Sequence, residues 1–134
     1  MRKVSTDVLP NGLRWYGQYD PSASGFVCGI GVRVGSALSP RGKSGLAHLT
    51  EHLVFRQSPR YTLADTYFYC SKLMGGFGQM QIATDATSMC FMSPLIRTYR
   101  NMDVAFDVIA DIVRSPQFDG AAVQTEIAAV LNEH

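Results

Sequence analysis

Two hydrophobic periods divide this chain. Apolar residues alternate with a period of two near its start, and later recur at the three-to-four spacing of helices, with a second strand region between. Residues 4–9 read as a strand. Pro10-Asn11-Gly12 reads as a turn, because Asn-Gly readily takes the backbone of a tight hairpin. Residues 13–19 are the return strand and residues 20–25 a loop. Residues 26–34 alternate clearly, with Phe26, Cys28, Ile30, Val32 and Val34 on one face and Val27, Gly29, Gly31 and Arg33 on the other. Glycines on one face predict close approach of another element, and Arg33 reads as a surface residue.

Residues 36–43 form a loop, and Ser44 is a candidate N-cap for a helix over about residues 45–55. That helix is mostly apolar, which predicts burial, so its polar residues need partners. Thr62 and Asp65 have the spacing of a capping box, with Asp in place of Glu, opening a helix over residues 63–74 that Gly75-Gly76 stops. Residues 77–84 and 88–93 read as two strands around a turn containing Asp85 and Thr87. A third helix over residues 101–114 has Met102, Phe106, Ile109 and Val113 as its apolar stripe. Asp119 is a candidate N-cap for a fourth, with Val123, Ile127, Val130 and Leu131 facing inward. Strands and helices in this mixed, partly hairpin-linked order predict an α+β fold.

The length of 134 residues suits one compact domain, and 46% hydrophobic with 17% charged residues supports a core. A net charge of +1 argues against nucleic-acid binding, which needs a basic face. The three cysteines, Cys28, Cys70 and Cys90, show no C-x-x-C spacing and read as small buried hydrophobes in a reducing compartment. The first residues lack the apolar stretch of a secretory signal, and no run of residues is apolar enough to span a membrane. A cytoplasmic location is the expectation.

The chemistry concentrates in His48-Leu49-Thr50-Glu51-His52, an H-x-x-E-H run. On a helix His48 and His52 stand one above the other, and Glu51 lies on the same side. Two imidazoles on one face can share a metal ion, and the carboxylate can take a proton from a water held there. This is the H-E-x-x-H arrangement of zinc hydrolases in reverse order. Zinc needs a further ligand. Glu126 and Glu133 lie seven residues apart on the last helix and can point the same way. Either could reach the metal if that helix packs on the first. Spacing alone reads them instead as the solvated face of an amphipathic helix, and two histidines four apart also occur by chance.

Nearly the whole chain resembles the N-terminal part of the M16 zinc metallopeptidases, the pitrilysin, insulysin and mitochondrial processing peptidase type. The likeness runs through Asn11-Gly12-Leu13-Arg14, Val32-Arg33-Val34-Gly35-Ser36 and Gly42-Lys43-Ser44-Gly45-Leu46-Ala47-His48-Leu49-Thr50-Glu51-His52-Leu53-Val54-Phe55. It continues in Gly75-Gly76, Thr87, Ser115-Pro116-Gln117-Phe118-Asp119, Glu126 and Glu133. The resemblance implies that His48, His52 and Glu133 bind Zn2+ and that Glu51 is the general base. It implies that Glu126 supports the ligands from behind. It also implies an antiparallel sheet with helices packed on it, residues 1–134 forming part of an N-terminal peptidase domain. A second such half or subunit is implied as partner, the two closing around a peptide or unfolded polypeptide.

In the family an edge strand holds the peptide by strand addition. Where the family usually has Asn-Ala-x-Thr after the paired glycines, this chain has Gln79-Met80-Gln81-Ile82, so Gln79 and Met80 are the candidate substrate-binding residues. Met89 stands where an aromatic is common. The family domain normally continues past the third ligand, so the likeness implies a truncated domain. The expected function is a zinc-dependent metalloendopeptidase, with little activity expected of the isolated 134 residues. The alternatives are a non-catalytic M16-like subunit that binds or scaffolds a partner, and a degenerate reading frame.

Overall fold

The computed structural model describes residues 3–74, 81–96 and 99–133. Strands β1 (Val4–Val8) and β2 (Arg14–Gln18) pair antiparallel, Val4 opposite Gln18 and Val8 opposite Arg14. The Asn11-Gly12 turn closes them. Gly12 sits at φ 85°, a left-handed backbone that costs glycine nothing, and its N–H donates to Leu9 O at 2.8 Å. The hairpin is a sheet of its own, with Val4, Val8, Trp15 and Tyr16 exposed on it.

A second sheet carries the core. Strands β3 (Gly25–Val32), β4 (Gln81–Thr84) and β5 (Met89–Ile96) run antiparallel in the order β3-β5-β4. Along β3, Phe26, Cys28, Ile30 and Val32 turn inward and Val27, Gly29 and Gly31 outward, as the alternation predicts. One expectation about this region fails. Val34 lies beyond the end of β3 and is 43% exposed. On the glycine face the expected close approach occurs at Gly29, where a Cβ would lie 2.7 Å from Phe91 O of β5, and not at Gly31, where a Cβ meets nothing within 4 Å.

A still closer approach occurs at Gly35. A Cβ there would lie 2.4–2.5 Å from backbone atoms of Asp85, Ala86 and Thr87. The chain after β3 therefore lies flat on the β4–β5 turn, fixed by Ser36 N–H to Asp85 O (2.8 Å) and Ala37 N–H to Ala86 O (2.9 Å). The Asp85 carboxylate organises that turn, accepting from the N–H groups of Thr87 (2.6 Å) and Ser88 (2.7 Å).

The first helix, α1, spans Leu46–Val54. Its N-cap is Gly45 at φ 85°, not Ser44. The chain enters through a left-handed turn that only glycine takes without steric cost, and this overrides the side-chain preference for serine. Helix α2 (Leu63–Met74) opens with the predicted box: Asp65 Oδ2 accepts from Thr62 N–H at 2.9 Å, and Asp65 N–H donates to Thr62 Oγ1 at 3.2 Å.

Helix α3 (Tyr99–Arg114) packs on β3 and β5 through Ala105, Val108 and Ile112. The predicted stripe is turned slightly: Met102, Ile109 and Val113 are half-buried, and Phe106 is 54% exposed. Helix α4 (Gly120–Asn132) begins at Asp119, whose Oδ1 accepts from the N–H groups of Ala121 and Ala122, both at 2.9 Å. Val130 is buried and Val123 and Ile127 half-buried, whereas Leu131, expected inside, is 70% exposed. Val54, Met89, Phe91, Val108 and Ile112 form the central core, between the sheet and helices α1 and α3. No helix among the described residues is long and apolar enough to cross a membrane.

Candidate metal centre

Helix α1 packs on α4 and β4, so its polar residues meet groups from both. Gln117 N–H donates to Gln57 O at 2.8 Å, tying the approach to α4 to the chain just after α1. His48 and His52 occupy one face of α1 at i and i+4, their rings edge to face with centroids 4.8 Å apart. Glu126 and Glu133, two turns apart on the α4 side, come to meet them.

Three donor atoms converge. His48 Nε2 lies 3.2 Å from His52 Nε2 and 3.3 Å from Glu133 Oε2, and His52 Nε2 lies 3.7 Å from Glu133 Oε2. Two ligands about 2.0–2.1 Å from a tetrahedral zinc ion stand about 3.3 Å apart. Two imidazole nitrogens and one carboxylate oxygen are also a donor set that suits zinc. Spacing and chemistry therefore both fit. Glu133 sits at the C-cap of α4 with its side chain about half exposed, leaving an open side to the cluster.

Glu126 stands behind these donors. Its Oε2 is 2.9 Å from His52 Nδ1, and its Oε1 accepts from Arg56 Nε at 2.6 Å and also from Arg56 Nη2. Burial pushes the Glu126 carboxyl up, but the hydrogen bonds and charges of His52 and Arg56 outweigh it and hold the group below the ordinary glutamate range. A carboxylate at Nδ1 selects the tautomer with the proton on Nδ1, which frees the Nε2 lone pair for the cluster.

Glu51 is buried, and its Oε2 accepts a hydrogen bond from Thr84 Oγ1 at the end of β4. The residues read from sequence thus separate into groups. His48, His52 and Glu133 come together, Glu126 backs His52, and Glu51 is held from β4. Gln79, Met80, Gly75 and Gly76 lie outside the described residues. Sequence reasoning missed Arg56 and Thr84. Arg56 had a signal, since it continues the row of His48 and His52 four residues further on, beside a helix too apolar to leave a cation unpaired.

The sequence pattern of the insulinase family, peptidase family M16, matches residues 16–134. The chain belongs to that family of zinc peptidases. It is 31% identical over 133 residues to the insulin-degrading enzyme-like 2 protein of Arabidopsis thaliana, covering 99% of this chain and 13% of that protein. It is 26% identical over 125 residues to a zinc protease of Mycobacterium tuberculosis, covering 93% of this chain and 27% of that protein. The crystal structure of pitrilysin matches 98% of the chain with a TM-score of 0.85 and 28% identity, the match covering 14% of pitrilysin. The chain thus spans 13% and 27% of the length of these two sequence relatives.

Proposed function

We propose that this chain is the zinc-bearing part of a metalloendopeptidase that hydrolyses peptides, with His48, His52 and Glu133 as zinc ligands and Glu51 as general base. The observation that carries the reading is the convergence of His48 Nε2 and His52 Nε2, on the helix that also holds Glu51, with Glu133 Oε2 from the end of α4, the three atoms lying 3.2–3.7 Å from one another. Zinc bound there supplies a Lewis acid that polarises the scissile carbonyl and lowers the pKa of a water. Glu51 accepts the proton of the attacking water and delivers it to the leaving amine. Thr84 donates to Glu51 Oε2, which limits the orientations open to that carboxylate. Glu126 holds the Nδ1 side of His52, so the ring presents Nε2 in one orientation.

Strand β4 is the edge of the sheet β3-β5-β4 among the described residues. A peptide adding to that edge would be held by its backbone, which favours broad sequence tolerance. Gln79 and Met80, just before β4, are the substrate-binding residues of this reading. A second M16-like half or subunit completes the cleft, which accords with the 14% of pitrilysin that the chain matches.

The test is the metal content of purified protein, measured with its cleavage of an unfolded polypeptide, for the wild type and Glu51→Gln. Near-stoichiometric zinc in both and cleavage only in the wild type is the expected result. Absence of zinc would sink the ligand assignment, and cleavage that survives Glu51→Gln would sink the general base. Zinc without cleavage in the wild type would favour the non-catalytic subunit.

A further inference from the structure

Arg56 has no part in the chemistry above, yet it meets the site's most buried carboxylate. Glu126 divides its two oxygens between two partners. Oε1 takes Arg56 Nε at 2.6 Å together with Nη2 of the same guanidinium, and Oε2 takes His52 Nδ1 at 2.9 Å. A guanidinium is a rigid planar fork, so two of its N–H groups on one oxygen restrict rotation of the carboxylate about its own axis. Once that rotation is restricted, the direction of the Oε2 lone pairs is set, and so is the bond to Nδ1. His52 Nε2 is the opposite corner of the same ring, 3.2 Å from His48 Nε2. An error in the carboxylate's angle would carry through to the donor atom.

We propose that Arg56 is a positioning residue: through Glu126 it holds His52 in the Nδ1–H tautomer with Nε2 turned toward His48 and Glu133. The placement supports this. Arg56 lies two residues past the end of α1, in a turn closed by its N–H to Leu53 O at 3.1 Å, and from there its guanidinium reaches the Glu126 oxygen that His52 does not use. The charges also suit the role. Arg56 balances Glu126, so the carboxylate can sit behind the ligand without leaving an uncompensated charge in a buried place. Lysine at this position would keep the charge and lose the fork, so charge and orientation can be separated by mutation.

The competing account is a purely mechanical tie, in which Arg56 joins the end of α1 to α4 and does nothing to the ring. Three measurements on wild type, Arg56→Lys and Arg56→Met separate the two. The first is the tautomer of His52 in metal-free protein at alkaline pH, from nitrogen-15 chemical shifts of the imidazole. The second is zinc affinity by chelator competition, and the third is the urea unfolding midpoint. The wild type is expected to show Nδ1–H at His52. Arg56→Met is expected to show a tautomer mixture and zinc affinity lower by roughly tenfold or more, the range for lost supporting partners of metal ligands. Arg56→Lys should keep most of the stability and still show the tautomer mixture.

A fall in unfolding midpoint with tautomer and zinc affinity unchanged overturns the proposal in favour of the tie. Wild-type His52 protonated on Nε2 overturns it as well. If Arg56→Met does not fold, Arg56→Lys alone decides, because a single Nδ1–H tautomer in that variant overturns the role of the fork. The inference rests on the zinc reading only for its affinity arm. Wild-type protein that binds no zinc would defeat that reading, while the tautomer would still decide for or against Arg56.

Discussion

His52 Nδ1 and Glu126 Oε2 lie 2.9 Å apart across 74 residues of sequence, joining α1 to α4 at the back of the three-donor cluster. Replacing Glu126 with Gln keeps the shape and an oxygen that can accept from Nδ1–H, but removes the charge and turns an amide N–H₂ toward one of the two partners. Zinc affinity of Glu126→Gln is expected to fall roughly 10–100-fold, the range for supporting partners of metal ligands. Chelator competition measures this, with circular dichroism confirming that the fold persists. Unchanged affinity would mean that His52 needs no carboxylate behind it.

Gly35 tests whether the β4–β5 turn must be gripped for the site to form. A Cβ at this position falls 2.4–2.5 Å from backbone atoms, which cannot swing aside as a long side chain can. Gly35→Ala is therefore expected to destabilise the protein by roughly 1–3 kcal/mol, the scale of overpacking. Because Thr84 directly precedes this turn and donates to Glu51, the shift should also reach Glu51, the proposed general base, and reduce the cleavage proposed for it. Urea denaturation reads the first effect and turnover under matched folding the second. A variant as stable as wild type would show that the loop does not need its contact with the turn.

Much of this architecture was legible in sequence because local chemistry fixed it. The Asn11-Gly12 turn, the Thr62–Asp65 box and the Asp119 cap each satisfy backbone groups within a few residues of themselves, and no tertiary partner could change them. Errors arose where packing decides. Phe106 and Leu131 are large and apolar, yet both are exposed, because the helix faces that touch neighbours are set by how closely the elements approach. Ser44 lost the cap to Gly45 because the entry path to α1 needs a left-handed residue. At the site, His48, Glu51 and His52 were visible as a spacing. The partnership of His52 with Glu126 and Arg56 was not, since it depends on how α4 returns to α1.

Asp85 gives a pH dependence whose sign is fixed by geometry. Hydrogen bonds from Thr87 and Ser88 N–H, and then from the Ser88 hydroxyl, hold its carboxyl below the ordinary value of 3.8. A carboxyl depressed in the folded state contributes its stability fully above 3.8, and loses it as the pH falls through the folded value. Wild type should therefore be more stable than Asp85→Asn at neutral pH, with the gap closing under strong acid. Melting temperatures of both proteins from pH 7 to pH 2 provide the check. A gap that widens on acidification would contradict the assignment.

Ile112 is 2% exposed, at the centre of the core between α3 and the sheet. Ile112→Ala removes three carbons from a closely packed site and should cost roughly 2–5 kcal/mol, while Ile112→Val should cost roughly 0.5–1.5 kcal/mol. The larger loss is a substantial share of the roughly 5–15 kcal/mol that holds a typical domain together. Urea midpoints of the pair test whether this residue anchors the core. Equal, small losses in both would place the packing centre elsewhere.

Cys28 lies on the inner face of β3 and is 6% exposed. Burial pushes its thiol from 9.0 up to about 11, because the thiolate would sit among apolar groups without solvent. The thiolate is the reactive form, so both charge state and access protect this sulfur. Iodoacetamide at pH 8 should leave Cys28 unmodified in native protein and label it after denaturation, as peptide mapping by mass spectrometry would show. Rapid labelling of the native protein would mean that β3 opens readily or faces solvent. The same shift predicts a loss of stability at high pH. A thiol raised in the folded state contributes fully below 9.0, and that contribution disappears as the pH rises toward about 11. Cys28→Ala removes the titrating group, so its melting temperature should fall less steeply over that interval than that of the wild type.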